Sequence, residues 1–187
     1  MNIEYIEKNT DMKVEYHETI GSTSERAKEI ALKNNCENIQ VVISELQTHG
    51  KGTKGRIWYS NPEKNILMTL IFYPQNTIEE LQRITYSIAQ MIQSAIQDLY
   101  DISLDIKLPN DLMLNGKKVC GILTESSIQN RRVNYLLIGI GLNINQMEFP
   151  EELQEIATSL KKEFSNVEFE REEIIVKIIN RVKSLVK

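Results

Sequence analysis

Residues 111–125 read DLMLNGKKVCGILTE, two short runs rich in apolar residues on either side of the dipeptide Asn115-Gly116. Asn-Gly is typical of a two-residue hairpin turn, because both central residues of that turn take a positive φ. The sequence therefore predicts an antiparallel hairpin with strands at Asp111–Leu114 and Lys117–Glu125. Side chains alternate along a strand, so we expect one face of the second strand to carry Lys118, Cys120, Ile122 and Thr124.

Strand and helix patterns follow one another on both sides of this hairpin. Short β-branched or apolar runs predict strands at Lys13–His17, Gln40–Ser44, Asn65–Tyr73, Ser103–Lys107 and Val133–Ile144. Capping signals and helical periodicity predict helices from Ser22 to about Asn34, from Thr77 to Leu99, shortly after Pro150 and over Glu170–Val186. Hairpins mixed with helices favour an α+β fold, with a mixed, largely antiparallel sheet packed against helices, over a doubly wound parallel fold.

The chain has the composition of an ordinary globular domain, with 187 residues, of which 41% are hydrophobic and 26% charged. Its net charge of -4 argues against general nucleic-acid binding, which needs a basic surface. Cys36 and Cys120 match no zinc or disulfide pattern, so we expect no metal site. The charged N-terminus and the shortness of the apolar run Tyr135–Ile144 argue against a signal peptide or a membrane helix. We therefore expect one cytoplasmic domain over residues 1–187.

The segment Gly50–Gly55 (GKGTKG) formally matches the G-x-G-x-x-G pattern of dinucleotide-binding loops. Such a loop must open a helix whose N-terminus meets the pyrophosphate. Residues 56–62 (RIWYSNP) instead have aromatic residues, no helical period and a proline. Because the Gly-Lys-Ser/Thr ending of a P-loop is missing as well, we exclude both the dinucleotide fold and the P-loop.

This glycine loop nevertheless has the chemistry of an anion site. Closely spaced glycines let backbone N–H groups approach a phosphate. Lys51, Lys54 and Arg56 supply positive charge for a polyphosphate or an acyl phosphate. Trp58, the only tryptophan of the chain, could stack on an aromatic base. The alternative is a solvated turn with a core tryptophan behind it, and the loop alone does not decide between the two.

Two more clusters point towards the same kind of site. Lys107–Asp111 (KLPND) places a cation, an amide and a carboxylate around a rigid turn, although Asp and Asn beside Pro are also ordinary turn formers. Glycines inside predicted strands, at Gly121 and in Gly139–Asn143 (GIGLN), indicate either a bulge or the close approach of a ligand. Lys118 is either a strand-edge cation or a functional one.

Taken together, these stretches resemble the catalytic domain of biotin protein ligases. The resemblance rests on GSTS at 21–24, QTHGKGTKGRIW at 47–58, KLPND at 107–111, KVCGILTE at 118–125, GIGLN at 139–143 and ATSL at 157–160. It runs in the family's order from about residue 14 to 185 and implies a class II synthetase-like fold. We expect a single catalytic domain, because the dozen or so residues before its first strand are too few for a winged helix and none remain after the last helix for the family's SH3-like barrel.

The resemblance implies a reaction in two steps. Biotin and MgATP give biotinyl-5′-AMP and pyrophosphate, and a lysine of a biotin carboxyl carrier protein then attacks the mixed anhydride. Lys51, Arg56 and Lys118 are the implied catalytic cations, with Lys118 bridging the biotin carboxyl and the α-phosphate. Asp111 would orient the acceptor amine or take its proton. We therefore expect biotin and ATP with Mg2+ as substrates.

The family motifs also imply binding roles around the loop. Ser22, Thr23 and Gln47 would hydrogen-bond the ureido ring of biotin, and Ser24 stands where asparagine is common. The loop would fold over the adenylate, and Trp58 would wall the adenine. The full set of implied substrate-binding residues is Ser22, Thr23, Ser24, Gln47, Gly50, Lys51, Gly52, Thr53, Trp58, Asn110, Lys118, Gly121 and Asn143.

The loop departs from the family's usual Gly-Arg-Gly-Arg-x-Gly-Arg pattern at two positions. Lys51 keeps the charge of the first arginine but loses its bidentate fork, and Thr53 removes the second charge altogether. We hypothesise a looser grip on the adenylate and easier leakage of the activated acyl group.

Two other functions stay open at this point. A lipoate or octanoate ligase of the same superfamily would use the same adenylate chemistry with a longer apolar pocket, although the polar set at Ser22, Thr23 and Gln47 favours a ureido head. A non-catalytic biotin-binding module is the second alternative. We expect neither DNA nor membrane binding, and the strand Val133–Ile144 could join two copies edge to edge in a homodimer.

Overall fold

The computed structural model describes residues 1–33, 40–73, 83–129 and 132–185. Its strands are β1 (Val14–Ile20), β2 (Val41–Gln47), β3 (Ile66–Phe72), β4 (Asp105–Lys107), β5 (Asp111–Leu114), β6 (Lys117–Gln129) and β7 (Arg132–Leu142). Its α-helices are α1 (Ile3–Thr10), α2 (Thr23–Leu32), α3 (Ile84–Tyr100), α4 (Leu160–Glu163) and α5 (Arg171–Lys183). Short 3-10 turns lie at Thr53–Gly55 and Glu151–Leu153.

The seven described strands form one sheet in the order β1-β2-β3-β7-β6-β5-β4. β1 and β2 are parallel, with α2 between them in the chain, and every other neighbouring pair of described strands is antiparallel. The predicted α+β class, with a mixed, largely antiparallel sheet, is therefore confirmed.

The predicted elements are present with shifted ends. β1 and β2 continue beyond their predicted ends, to Ile20 and Gln47. The predicted helix start at Ser22 is correct, because its side chain caps α2. The predicted cap at Thr77 and the predicted helix end at Asn34 lie outside the described residues.

Helix α1 is absent from the predictions made on the sequence. Asn2 caps it by accepting a hydrogen bond from the Tyr5 N–H at 3.0 Å, and Ile6 is fully buried in the core. The charged residues of this segment suggest a solvated tail, but a helix can direct them outwards while one apolar side packs inwards. Among the described residues, none of the helices combines the length and the apolar character that a bilayer crossing requires.

Different helices pack on the two faces of the sheet. Alternate residues of β7 from Leu136 to Leu142 join a large core with residues of α1, α3 and α5. The other face of β7 carries Tyr135 and Leu137, which pack in a smaller cluster with residues of α2. Gly139 and Gly141 follow on that same face, so the sheet surface beside the N-terminus of α2 has room for a ligand.

A β-bulge in β6 reverses the side-chain alternation that the sequence predicts. Leu112 of β5 lies opposite Cys120, but the next residue, Met113, lies opposite Lys118, so Val119 has no partner in the ladder. An extra residue of this kind changes which face the neighbouring side chains occupy. Val119 and Cys120 therefore both belong to the large core.

The predicted common face of Lys118 with Cys120, Ile122 and Thr124 is consequently wrong. Lys118 lies on the face of Gly121, where a Cβ added to the glycine would come 3.1 Å from Lys118 Nζ. Cys120 and Ile122 are buried in the opposite core, and burial raises the pKa of the Cys120 thiol to about 12. A thiol that stays protonated at neutral pH is a packing residue rather than a nucleophile.

Strand β7 lies in the middle of the sheet, between β3 and β6. Its residues Leu136–Leu142 are paired on both sides. They have no free backbone edge to offer to a second copy. The predicted edge-to-edge contact through Val133–Ile144 is therefore wrong for this stretch.

Candidate active site

A cavity of about 190 Å³ opens on the face of the sheet that α2 partly covers. It is bounded by the start of α2, the end of β2, the glycine loop, and the glycine-bearing parts of β6 and β7. Most of the predicted site residues line it, namely Thr23, Ser24, Gln47, Lys51, Gly52, Thr53, Arg56, Trp58, Asn110, Lys118, Gly121 and Asn143.

Three predicted site residues stand just outside the cavity lining. Ser22 caps α2 and is buried. Gly50 is packed against the backbone of Trp58, and a Cβ added to it would come 2.6 Å from the Trp58 carbonyl oxygen. Asp111 lies beside Lys118, with its Oδ1 2.6 Å from Lys118 Nζ. The structure thus brings the residues of five separate sequence stretches to one place.

The closed end of the cavity is a chain of hydrogen-bonded polar side chains. Gln47 Oε1 accepts the Thr23 N–H at 2.8 Å and the Thr23 hydroxyl at 3.1 Å. The Thr69 hydroxyl of β3 donates to Thr23 Oγ1 at 2.9 Å and lies 3.3 Å from Ser24 Oγ. Thr69 was missed from the sequence, where the only signal is one polar residue in the apolar strand ILMTLIF.

The floor of the cavity is made of two glycines beneath the indole ring of Trp58. A Cβ added to Gly121 would come 2.8 Å from Trp58 Cζ3, and one added to Gly141 would come 2.5 Å from Trp58 Cε2. Any larger residue would therefore displace the ring. Trp58 Nε1 is buried and has no hydrogen-bond partner among the described residues, so it is a donor available to a ligand.

Lys118 is held in the cavity by both its backbone and its side chain. Its N–H donates to the Ile156 carbonyl at 2.8 Å, and its carbonyl accepts the Thr158 N–H at 2.9 Å. Its Nζ lies 5.4 Å from the centroid of the Trp58 ring, within cation–π range. The ammonium is therefore fixed between Asp111 and Trp58, facing the space where an anion would bind.

The glycine loop folds back on itself as a small hairpin. Trp58 N–H donates to the Gly50 carbonyl at 2.9 Å, and Gly52 N–H donates to the Arg56 carbonyl at 2.8 Å. The Arg56 guanidinium donates to Thr53, through Nε to its carbonyl at 3.2 Å and through Nη2 to its Oγ1 at 2.9 Å. Thr53 therefore holds the Arg56 guanidinium in place within the loop.

Lys51 connects the glycine loop to α2 through an ion pair with Glu25, in which both side chains are about half exposed. The hydrogen bond to Glu25 raises the pKa of Lys51, and the same bond lowers the pKa of Glu25. An incoming phosphate would compete with Glu25 for this ammonium.

One wall of the cavity comes from the segment after β7, in which the family motif covers only residues 157–160. Phe149, Leu153, Ile156 and Ala157 contribute this apolar wall. Asn143 stands beside it, donating through Nδ2 to the Thr158 carbonyl at 3.0 Å. Asn143 Oδ1 is buried and has no hydrogen-bond partner among the described residues. The apolar residues are interspersed with glutamates in residues 148–156, which hides the wall in the sequence.

Asn110, one of the predicted substrate-binding residues, lines the cavity and also anchors the turn at residues 107–111. Its Nδ2 donates to the Ile122 carbonyl at 3.0 Å, and its own carbonyl accepts the Ile122 N–H at 2.9 Å. These bonds fix the 107–111 turn against β6. Asn110 therefore helps to position the strand that carries Lys118, besides lining the cavity.

Comparison with known proteins gives a consistent set of relatives. A model of the biotin/lipoate A/B protein ligase family matches residues 16–143. The bifunctional ligase/repressor BirA of Bacillus subtilis is 39% identical over 149 residues, which are 79% of this chain and 46% of that protein. The biotin–[acetyl-CoA-carboxylase] ligase of Paracoccus denitrificans is 35% identical over 105 residues, which are 55% of this chain and 43% of that protein. The chain spans about half the length of the curated relatives it matches.

Solved structures with the same fold include ligand complexes. The biotin protein ligase from Aquifex aeolicus in complex with biotin and ATP has a TM-score of 0.76 and 27% identity, covering 92% of this chain and 69% of that one. The biotin protein ligase from Leishmania major in complex with biotin has a TM-score of 0.73 and 25% identity, covering 91% of this chain and 72% of that one.

Proposed function

Because the chain belongs to the biotin/lipoate A/B protein ligase family, we propose that it is an ATP-dependent, AMP-forming biotin–protein ligase. It activates biotin with MgATP to biotinyl-5′-AMP and transfers the biotinyl group to a lysine of a biotin carboxyl carrier protein. The observation that carries the proposal is the placement of Lys118, whose ammonium faces a cavity that also contains the glycine loop and the polar cluster at Gln47.

The first step brings two anions together, and the cations around the cavity suit that task. The biotin carboxylate attacks the α-phosphorus of ATP, and pyrophosphate leaves with its bonding electrons. Lys118 neutralises the carboxylate and the α-phosphate, while Lys51 and Arg56 of the loop meet the remaining phosphate charge. Asp111 holds the Lys118 ammonium in position before the reactants bind.

The nucleotide end of the site is supported by the unpaired polar atoms. Asn143 Oδ1 is a buried acceptor, which suits an exocyclic amino group such as that of adenine. Trp58 Nε1, which lies over Gly141, is a buried donor. Phe149 and Ile156 supply the apolar surface on which a base packs.

The second step requires a neutral acceptor amine, whereas an ordinary lysine has a pKa of about 10.4. The amine attacks the carbonyl carbon of the mixed anhydride, an amide forms, and AMP leaves. The Asp111 carboxylate accepts the proton that the attacking amine loses, since it lies next to Lys118. AMP is a good leaving group, so no strong acid is needed.

The proposal extends to partners and is preferred to two alternatives. A carrier protein is the acceptor, and the acidic net charge of -4 supports a reaction without DNA. Homodimer formation and a cytoplasmic location stay predictions. The polar cluster at Gln47 supports biotin over lipoate or octanoate, and the three cavity-facing cations support an enzyme over a passive binding module.

The proposal is tested by following labelled biotin onto an apo carrier domain with MgATP. Lys118→Ala should lower the rate of adenylate formation by about 10²- to 10³-fold, because a preorganised charge on the transition state is lost. Lys117→Ala is the matched control, since that lysine donates to the Gln154 carbonyl at 2.8 Å outside the cavity. Equal rates for Lys118→Ala and the wild type would disprove the assignment.

Two further readouts separate the alternatives. A binding module would release no pyrophosphate on mixing with biotin and MgATP. A lipoate or octanoate ligase would bind lipoate more tightly than biotin in isothermal titration.

A further inference from the structure

Thr69 is the one polar residue of β3, which reads ILMTLIF, and it is fully buried. Burying a hydroxyl in an apolar strand costs free energy unless the hydroxyl is hydrogen-bonded. Thr69 Oγ1 lies 2.9 Å from Thr23 Oγ1 and 3.3 Å from Ser24 Oγ. Both partners stand at the start of α2 and line the cavity.

The direction of these hydrogen bonds follows from counting protons. The backbone N–H of Thr23 can only donate, so Gln47 must turn its Oε1 towards it. The Thr23 hydroxyl has one proton and gives it to the same Oε1, and it therefore accepts from Thr69. Thr69, whose own proton is then used, accepts in turn from Ser24.

This order fixes what the closed end of the cavity offers to a ligand. Gln47 presents its amide N–H groups, because its oxygen is occupied twice. Ser24 presents lone pairs, because its proton is directed to Thr69. A donor and an acceptor at neighbouring positions complement a ring in which a carbonyl stands next to an N–H group. A dithiolane ring has neither group.

On the basis of the proposed function, we propose that Thr69 is a positioning residue that sets the polarity of the head-group subsite and so selects a cyclic urea over a dithiolane or a plain alkyl chain. It acts through Thr23, Gln47 and Ser24, and it does not itself line the cavity.

Gly139 of β7 leaves the space that the Ser24 hydroxyl needs in order to bond Thr69. A Cβ added to Gly139 would come 2.9 Å from Ser24 Oγ, so only glycine lets the serine hydroxyl stay where it meets Thr69. Ser24 is 6% exposed, which keeps water from replacing these bonds.

The test compares two pairs of variants that differ in the hydroxyl alone. Thr69→Val is matched to the wild type in shape, and Thr69→Ala is matched to Thr69→Ser. Biotin and lipoate affinities are measured by isothermal titration, with ATP affinity and thermal unfolding as checks of the fold. Thr124→Val is the control, since it removes a hydroxyl that lies 2.7 Å from Thr85 Oγ1 on the opposite face of the sheet.

We expect Thr69→Val and Thr69→Ala to bind biotin on the order of tenfold more weakly than their matched partners, because donor and acceptor directions are no longer fixed. Their lipoate affinity should stay within about twofold of the matched partners, as should ATP affinity in all variants and biotin affinity in Thr124→Val.

Biotin binding by Thr69→Val and Thr69→Ala equal to that of their partners would overturn the role of Thr69 and leave the ligase proposal standing. A parallel loss of lipoate and biotin affinity would also overturn it, since the hydroxyl would then only support packing. A wild-type protein that binds lipoate and no biotin would overturn the proposed function as well.

Discussion

Gly141 supports the indole ring of Trp58, and a Cβ at that position would come 2.5 Å from Trp58 Cε2. We expect Gly141→Ala to displace the ring and to weaken MgATP binding by about tenfold or more, because overpacking forces side chains out of their preferred places. Trp58 is the only tryptophan, so its fluorescence reports both the displacement and the titration.

Gly21→Ala is the matched control for this change, because a Cβ at Gly21 would meet no heavy atom within 4 Å. Its emission maximum and its MgATP affinity should equal those of the wild type. An unchanged emission maximum in Gly141→Ala would show that the ring does not rest on the glycine.

Thr53 occupies a loop position where the related ligases usually carry arginine. We expect Thr53→Arg to retain biotinyl-5′-AMP about tenfold longer, because a charged donor to a phosphate is added. Rapid filtration of the preformed complex measures the retention. Thr19→Arg adds the same charge on the exposed part of β1 and should change nothing. Equal retention in all three proteins would refute the leakage hypothesis.

Single residues were predictable where their chemistry is unusual for their surroundings. The glycine loop points to Lys51 and Arg56, and the hairpin strand points to Lys118; all three line the cavity. Thr69 escaped because a threonine is ordinary in a strand, and only its partners in space give it a role.

Lys51 and Glu25 join the glycine loop to α2. We expect Glu25→Gln to expose the loop and to speed tryptic cleavage after residues 51–56 by about two- to fivefold, the range of an exposed ion pair. Lys51 lowers the pKa of Glu25, so the pair is complete above the ordinary carboxyl pKa and weakens as the pH falls through the lowered value.

Glu29→Gln is the control for the loop experiment. Glu29 pairs with Arg26 at 2.8 Å within the same helix, and not with the loop lysine that Glu25 binds. Loss of the Arg26–Glu29 ion pair should leave the cleavage rate at the loop unchanged. Equal cleavage of Glu25→Gln and the wild type would show that the ion pair does not hold the loop.

Strand and helix types were predictable because hydrophobic periodicity and the Asn-Gly turn are local signals. The bulge at Val119 was not, because it exists only in the pairing of β6 with β5. Regular strand alternation predicts that Lys118 faces the core. The bulge at Val119 instead turns Lys118 to the face of Gly121, where the cavity lies.

A buried ion pair joins the last described helix to the sheet. Arg171 Nη1 of α5 lies 2.5 Å from Glu45 Oε2 of β2, and Glu45 is 4% exposed. We expect Arg171→Ala to lower the free energy of unfolding by about 3 kcal/mol, because the buried Glu45 carboxylate loses its nearest cation and keeps only the Met1 ammonium at 3.6 Å. Urea denaturation measures the loss.

Lys177→Ala is the matched control, since its pair with Asp98 is exposed and should contribute less than about 1 kcal/mol. The double change Glu45→Leu with Arg171→Leu should recover part of the stability, because both charges of the pair are removed together and only the Met1 ammonium, 3.6 Å from Glu45 Oε1, loses its partner. If Arg171→Ala were as stable as Lys177→Ala, the ion pair would have no role in joining α5 to the sheet.

The fold class was predictable for the whole chain, but the order of the strands was not. Strand β7 is long and apolar, which suits both a central strand and an edge that pairs with another copy. β7 is a central strand because it pairs with β3, which lies 60 or more residues earlier in the chain. Contacts between such distant residues produce no local pattern in the sequence.

The opposite faces of β7 separate two properties of this chain. Alternate side chains of Leu136–Leu142 face the core, while Gly139 and Gly141 between them face the cavity. Laboratory evolution aimed at the cavity can therefore keep most of the core side chains of this strand unchanged, with Ile140 as the residue that belongs to both the core and the cavity lining.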